Sequence, residues 1–176
     1  MLAQRKIVLY IATSLDGYIA TEDDSLEWLF KCEGEGDNGY SEFYNTVDTI
    51  LIGRRTYDWI IEKEEGNFPY KDKECYVFSK SKNGKNENVE FINQDVVEFT
   101  SKIKKLGGKN IWLVGGGNLL HSFIKERLVD EFIITVAPTL IGNGIPLFNK
   151  DDFEQELKLK NIRKFNQFAE LHYEVK

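Results

Sequence analysis

Short apolar runs alternate with segments of helical spacing along most of the chain. Six runs are rich in β-branched and aromatic residues, in the order RKIVLYIAT, DTILIG, ECYVFS, VEFI, NIWLVGGG and DEFIITVAPTLIG. Continuous runs of this kind are typical of strands that are buried on both faces of a sheet. Among them, helical spacing of the apolar residues predicts helices over SLEWLFKC, RRTYDWII, DVVEFTSKIKKLGG and NLLHSFIKERL. Strands that alternate with helices predict a largely parallel sheet with helices on both faces.

Local signals mark some ends of these elements. Ser25 is a candidate N-cap of the first helix, and Gly107 is a candidate C-terminal stop of the third. The final stretch, ELKLKNIRKFNQFAELHYEV, alternates as two antiparallel strands do, with Asn166 and Gln167 near the turn. We therefore predict one α/β domain over residues 1–176, with a mostly parallel sheet and an antiparallel C-terminal edge.

Composition and charge exclude several classes of protein. Hydrophobic residues make up 41% and charged residues 30% of the chain, and the net charge of −6 argues against nucleic-acid binding. The apolar run Ile7 to Ala12 is too short for a signal peptide, and no stretch is long enough to span a membrane. Cys32 and Cys75 lack metal or disulfide spacing, which favours reduced thiols in a cytoplasm. His121 and His172 have no neighbouring ligand, so no metal site is expected.

Candidate site segments follow from the predicted sheet. Ligands of such sheets bind beyond the carboxyl ends of the strands. Four segments stand directly after predicted strands: ATSLDGYIA, GRRTYD, SKS and GGGNLL. PTLIGNGIP is a fifth candidate, because its two glycines and two prolines break the long sixth strand.

Three consecutive glycines, Gly115 to Gly117, join a strand to a helix. They would let backbone N–H groups approach a phosphate closely, with the positive end of the helix dipole behind them. The dinucleotide fingerprint is incomplete, because Leu120 stands at its third glycine position. A tight turn with close packing is the alternative interpretation, and the motif alone does not choose between them.

The segment GRRTYD carries the stronger anion signal. Arg54, Arg55 and Thr56 stand at the start of a helix, where two guanidinium groups and free N–H groups suit a phosphate. The alternative is an ordinary surface helix in which Arg54 pairs with Asp58 four residues later. Two arginines at the ligand end of a strand in an acidic chain favour the anion site.

Acidic residues around the first loop are candidates for proton transfer. Asp16, Asp23, Asp24 and Glu27 lie among small and apolar residues, and a partly apolar cleft raises the pKa of a carboxyl group toward that of a useful donor. Solvated loop carboxylates are the alternative, and Asp16 with the following glycine also suits a turn.

Taken in this order, the segments resemble the dihydrofolate reductase-like superfamily. They are most similar to the reductase domain of bifunctional riboflavin-biosynthesis deaminase-reductases, through IATSLDGYIA, DTILIGRRTYDWI, YVFSKS and LVGGGNLLHSFIKERLVDEFIITVAPTLIGNGIPLF. The resemblance implies an eight-stranded, mostly parallel sheet that binds NADPH across the strand ends and passes hydride to a small heterocyclic substrate. It also implies a homodimer, for which the segment DEFIITVAPTLIG is the expected contact.

The resemblance assigns roles to individual residues. Ala12 and Ile19 would flank the nicotinamide, and Trp28 and Thr135 would contact the substrate. The phosphates and riboses would be bound by residues that follow three strands: Gly53, Arg54, Arg55, Thr56, Ser79, Lys80, Val114, Gly115, Gly116, Gly117, Asn118 and Leu119. Ser79 and Lys80 of this set would meet the 2′-phosphate region.

Departures from the folate reductases favour the riboflavin type. Folate reductases begin the first helix with a pterin-binding carboxylate three positions before a tryptophan, and that position, counted back from Trp28, is Ser25. The usual tyrosine after the glycines is Leu120 here. The favoured hypothesis is an NADPH-dependent reductase in which Asp16, Asp24 or Glu27 supplies the proton. A non-catalytic nucleotide-binding or dimeric module that kept the fold is the alternative.

Overall fold

The computed structural model describes residues 4–176. In chain order the strands are β1 (Ile7–Ser14), β2 (Tyr18–Ala20), β3 (Val47–Gly53), β4 (Glu74–Phe78), β5 (Gly84–Lys85), β6 (Glu90–Ile92), β7 (Asn110–Gly115), β8 (Glu131–Ala137), β9 (Ile145–Pro146), β10 (Leu157–Phe165) and β11 (Phe168–Val175). The helices are α1 (Glu27–Phe30), α2 (Tyr40–Tyr44), α3 (Arg54–Lys63), α4 (Val96–Ile103) and α5 (Gly117–Lys125).

Nine strands form the main sheet in the order β10-β11-β8-β1-β7-β3-β4-β6-β5. The six strands from β8 to β6 run parallel, whereas β11, β10 and β5 are antiparallel to their neighbours. The predicted fold class is confirmed, including the C-terminal hairpin at one edge. The sheet has nine strands because the short β5 pairs with β6 at the far edge, and β2 and β9 form a separate pair.

Two hydrophobic layers cover the two faces of this sheet. Alternation along β1 places Leu9 in one layer and Val8 in the other. Trp112 of β7 is buried in the second layer within a cluster of tyrosine and phenylalanine rings, and its indole Nε1 donates to the carbonyl of Tyr10 at 3.1 Å. Because the central strands are buried on both faces of the sheet, their sequences are continuous apolar runs.

Several local boundaries differ from the sequence-based expectation. Leu26, not Ser25, occupies the N-cap position of α1, although the Ser25 hydroxyl accepts a bond from the Glu27 amide at 3.3 Å. Helix α4 ends at Ile103, ahead of Gly107, because the chain closes into a further turn through the Leu106 amide and the Ile103 carbonyl. The five-residue α2 was not predicted, since it is too short to show helical periodicity.

The expected dimer contact does not coincide with an open sheet edge. Strand β8 ends at Ala137, before Pro138, and pairs with β1 on one side and β11 on the other. Its backbone hydrogen bonds are therefore used within the chain, and the outer strands of the sheet are β10 and β5. The homodimer itself stays a prediction. Across residues 4–176, no helix has the length and apolar character required to cross a membrane.

Candidate functional site

The two glycine turns after β3 and β7 lie in direct contact. A methyl group at Gly53 would stand 3.1 Å from the Gly115 carbonyl oxygen and 3.4 Å from Gly116 Cα. At Gly116 it would stand 3.1 Å from the Thr56 hydroxyl and 3.3 Å from Gly53 Cα. Gly115 and Gly116 also have φ of 130° and 101°, which side chains rarely adopt. Close packing, the alternative interpretation of the glycines, is therefore present, and it brings two helix starts together.

Both helices that start at these turns lack a side-chain cap. Gly53 is the N-cap of α3 and Gly116 is the N-cap of α5. Helix α4 differs, because the Asp95 carboxylate accepts the Val97 and Glu98 amides at 2.9 and 3.1 Å. Uncapped first turns leave backbone donors and the positive ends of two helix dipoles available at one place. This arrangement suits an anion.

The first turn of α3 adds two guanidinium groups and contains no acidic residue. Arg54 forms the i,i+4 pair with Asp58, with Nε 2.8 Å from both carboxylate oxygens. Its guanidinium carbon also lies 5.5 Å from the centre of the Phe91 ring. The ion pair between Arg54 and Asp58, which was the alternative interpretation of this segment, is therefore formed. Arg54 still lies in the uncapped first turn of α3.

A basic residue that the prediction missed joins this cluster. The Lys82 ammonium lies 4.2 Å from the centre of the same Phe91 ring that Arg54 approaches. Ser79 is buried, and its hydroxyl accepts the amides of Ser81 and Lys82, which shapes the turn after β4. Lys80 is exposed in that turn. The alternating SKSK of the sequence was the available signal for Lys82.

The three carboxylates proposed for proton transfer have different surroundings. Asp16 accepts the Ser14 hydroxyl at 2.6 Å and the amides of Ile141 and Gly142 at 3.2 and 2.8 Å. The Ser14 bond, with smaller contributions from these amides, lowers the pKa of Asp16. The resulting geometry favours a structural role for Asp16, because a carboxylate with a lowered pKa is a poor proton donor at neutral pH.

Asp24 is paired with Arg55, through a distance of 2.7 Å between Oδ2 and Nη2. Glu27 is exposed and lines a cavity of about 800 Å³. This cavity lies between the loop and helix that contain Trp28 and the segment 138–141 that follows β8. Of the three candidates, Glu27 is the one that faces a space large enough for a heterocycle.

Of the residues expected beside the nicotinamide and the substrate, Ala12 lies on β1, Thr135 on β8 and Trp28 on α1. Ala12 pairs with Thr135 of the neighbouring β8, and Thr135 is buried. Trp28 packs in a small cluster with Ala137 and Phe168. The Trp28 indole Nε1 is buried and has no hydrogen-bond partner among residues 4–176. It is therefore a donor that a ligand or a water could satisfy.

The other expected cofactor residues lie near the same strand ends. Ile19 packs against the hydrophobic layer that contains Leu119, and Leu119 contacts the β3 turn. Val114 is half-buried, Gly117 has an ordinary φ, and Asn118 is exposed at the start of α5. All five predicted segments lie at the carboxyl ends of the strands, on the same side of the sheet, because the strands that they follow run parallel.

Known proteins share this architecture and sequence. The Bacillus subtilis (strain 168) protein YwjB, described as uncharacterized, is 52% identical over 171 residues, which cover 97% of this chain and 98% of YwjB. A crystal structure of a Shewanella sp. PV-4 protein assigned to riboflavin biosynthesis superposes with a TM-score of 0.87 at 28% identity, and covers 97% of this chain and 99% of its own.

More distant structures share the fold. A Thermotoga maritima diaminohydroxyphosphoribosylaminopyrimidine deaminase/5-amino-6-(5-phosphoribosylamino)uracil reductase matches with a TM-score of 0.72 at 14% identity, over 98% of this chain and 57% of that one. Enterococcus faecalis dihydrofolate reductase, complexed with NADP(H), matches with a TM-score of 0.66 at 15% identity, over 100% and 99% of the two chains.

A family model adds the decisive comparison, because it covers nearly the whole chain. The model of the RibD C-terminal domain matches residues 5–169, a range that includes both glycine turns, the Asp24–Arg55 pair and Thr135. The chain belongs to the RibD C-terminal domain family.

Proposed function

We propose that this protein is a riboflavin-type, NADPH-dependent reductase that acts on a small pyrimidine- or pteridine-like heterocycle. The observation that carries the proposal is the contact between Gly53 and Gly116, which joins two uncapped helix starts next to Arg54 and Arg55. Family membership supports it, as does the fold shared with a dihydrofolate reductase complexed with NADP(H).

The residues at the strand ends fit the phosphates of the cofactor. Backbone donors of α3 and α5, with Arg55 and Thr56, would bind the diphosphate. Arg54 and Lys82, which lie beside the Phe91 ring, would bind the 2′-phosphate together with Lys80, which is exposed in the same turn as Lys82. An acidic group is absent from the first turn of α3, where one would normally stabilise the helix. A bound phosphate would supply that missing negative charge.

The substrate would lie over β1, where Ala12 and Ile19 flank the nicotinamide. The bound cofactor supplies the hydride, and the chain's part is positioning and electrostatics. Trp28 offers an unpartnered indole donor, and Thr135 lies beside Ala12. Among the three candidate carboxylates, the cavity favours Glu27 as the proton source over Asp16 and Asp24, which are engaged in other contacts.

The proposal is tested by titrating the protein with NADPH and, separately, with NADH, using energy transfer from tryptophan to the dihydronicotinamide. Trp112 is a suitable donor, because it bonds the backbone two residues before Ala12. Saturable binding with a preference for NADPH is expected, followed by NADPH oxidation when a panel of pteridines and pyrimidines is added. Absence of binding by either cofactor would remove the reductase proposal.

One observation favours a second candidate, a non-catalytic nucleotide-binding module. Ser25 lines the cavity at the position where folate reductases carry a carboxylate. This candidate predicts NADPH binding without oxidation by any heterocycle in the panel. In either case we propose a cytoplasmic homodimer, and sedimentation as a monomer at micromolar concentration would contradict the dimer.

A further inference from the structure

One row of side chains crosses four adjacent strands below the proposed substrate position. Ala12 of β1 pairs with Thr135 of β8, Thr135 pairs with Glu170 of β11, and Glu170 pairs with Arg163 of β10. Directly paired residues extend to the same face of a sheet. The register therefore places a carboxylate next to Thr135, on the face to which Ala12 contributes.

Glu170 is only half satisfied by its neighbours. Its side chain is 3% exposed, and Oε1 accepts a bond from Arg163 Nε at 2.7 Å. The other oxygen, Oε2, is buried and has no hydrogen-bond partner among residues 4–176. Arg163 is held in turn by Glu42, whose carboxylate lies 2.6 Å from Nη1, and by the backbone of Gly39 packed against it. An unpartnered oxygen on a buried carboxylate is costly unless something binds it.

Part of the surface of β1 stays exposed near this carboxylate. Tyr10, Ile11 and Ala12 are only partly buried, although β1 lies near the middle of a nine-stranded sheet. Tyr10 is on the same face as Ala12, two residues before it. Burial, and then the charge of Glu170, raise the pKa of Tyr10.

The other buried carboxylate has no free acceptor. Glu131 is 6% exposed, and its oxygens accept bonds from Lys6, Lys160 and His172. Among the buried carboxylates of residues 4–176, Glu170 alone combines burial with an unpartnered oxygen.

We propose that Glu170 anchors the substrate, with Oε2 accepting an N–H from the edge of the heterocycle beside Thr135. This inference rests on the proposed reductase function and deepens it. Arg163 would fix Oε1 through its hydrogen bond, so that Oε2 stays available as an acceptor. Because an ionised carboxylate only accepts hydrogen bonds, the site selects rings that present N–H donors, such as amino- or lactam-bearing pyrimidines and pteridines.

The inference is tested with two probes that differ in donors. 2,4-Diaminopteridine presents N–H groups, whereas 1,3-dimethyllumazine presents none. Equilibrium binding to the wild-type protein should favour 2,4-diaminopteridine by about ten-fold or more, the range of a hydrogen bond to a charged group. Glu170→Gln should remove most of this preference while NADPH binding stays unchanged. Glu174→Gln, on the same strand, is the matched control and should keep the preference.

The outcomes separate the two claims. Equal binding of both probes to the wild type, or an unchanged preference in folded Glu170→Gln, overturns the role of Glu170. If Glu170→Gln does not fold, Glu170→Asp keeps the charge and withdraws the oxygen, and an unchanged preference in that variant overturns the role as well. Failure of NADPH binding in the wild type would remove the proposed reductase, whereas the probe preference would still report on Glu170.

Discussion

Arg55 at the start of α3 and Asp24 in the loop before α1 form an ion pair, with Nη2 2.7 Å from Oδ2, although 31 positions separate them. Asp24 has a positive φ of 63° in that loop. The ion pair connects the loop beside the proposed substrate position to the first turn of α3, where the diphosphate is proposed to bind. Asp24 therefore binds the Arg55 guanidinium group and would compete for it with the diphosphate of the cofactor.

We expect Asp24→Asn to raise NADPH affinity by about two- to five-fold. The diphosphate must displace Asp24 from Arg55 in the wild type, and an exposed ion pair of this kind contributes only about 0.2–1 kcal/mol. The titration described above measures the change. Asp23→Asn, one position away in the same loop, should leave the affinity unchanged. A lower affinity in Asp24→Asn would show that the pair supports binding instead of competing with it.

Gly116→Ala should weaken NADPH binding and lower the free energy of unfolding by about 1–3 kcal/mol, because the residue has a positive φ and a methyl group would press on Thr56 and Gly53. Gly117→Ala is the matched control for stability: its φ is ordinary, and its nearest neighbour would be a methyl group of Ile145 at 3.4 Å. Urea unfolding and the titration report both effects. Equal free energies of unfolding for the two variants would contradict the steric role of Gly116.

The double change Lys80→Ala with Lys82→Ala tests the 2′-phosphate position. NADPH affinity should fall by about ten-fold, as expected for loss of charge-assisted contacts, whereas NADH affinity should stay the same because NADH lacks that phosphate. Lys71→Ala, an exposed lysine outside the cluster, serves as the control. A parallel loss of both cofactors would place the lysines elsewhere in the site.

Glu131 should control acid stability. Burial alone would raise its pKa, but hydrogen bonds from Lys6, Lys160 and His172 outweigh it and lower the pKa from 4.5 to about 2. Since the folded pKa lies below the unfolded one, the stabilisation is complete above pH ~4.5 and is lost as the pH falls toward 2. The amount is about 3 kcal/mol.

In urea unfolding, Glu131→Gln should be less stable than the wild type at pH 6, and the difference should shrink by pH 3. Glu98→Gln, which removes one partner of an exposed i,i+4 pair with Lys102, should change little at either pH. A difference that stays constant between the two pH values would contradict the assignment to Glu131.

The order of the elements and the segments at their ends could be predicted from the local sequence. The continuous apolar run of β3 reflects burial of consecutive residues, and the glycines and arginines directly after the strands reflect backbone sterics and charge over a few residues. Each of these signals can therefore be recognised in a short window of sequence. Helix α2 and strand β5 were not predicted, because elements of five and two residues are too short to show a periodic pattern of hydrophobic residues.

The contacts between residues far apart in the chain could not be predicted in this way. Glu170 lies beside Thr135 and Ala12 because three strands from different parts of the chain pair in one register, and Arg55 meets Asp24 across a loop. The contact of Gly53 with Gly116 likewise follows from β3 and β7 being neighbours. Register and neighbour order depend on the packing of all the strands together, and no short window of sequence contains that information.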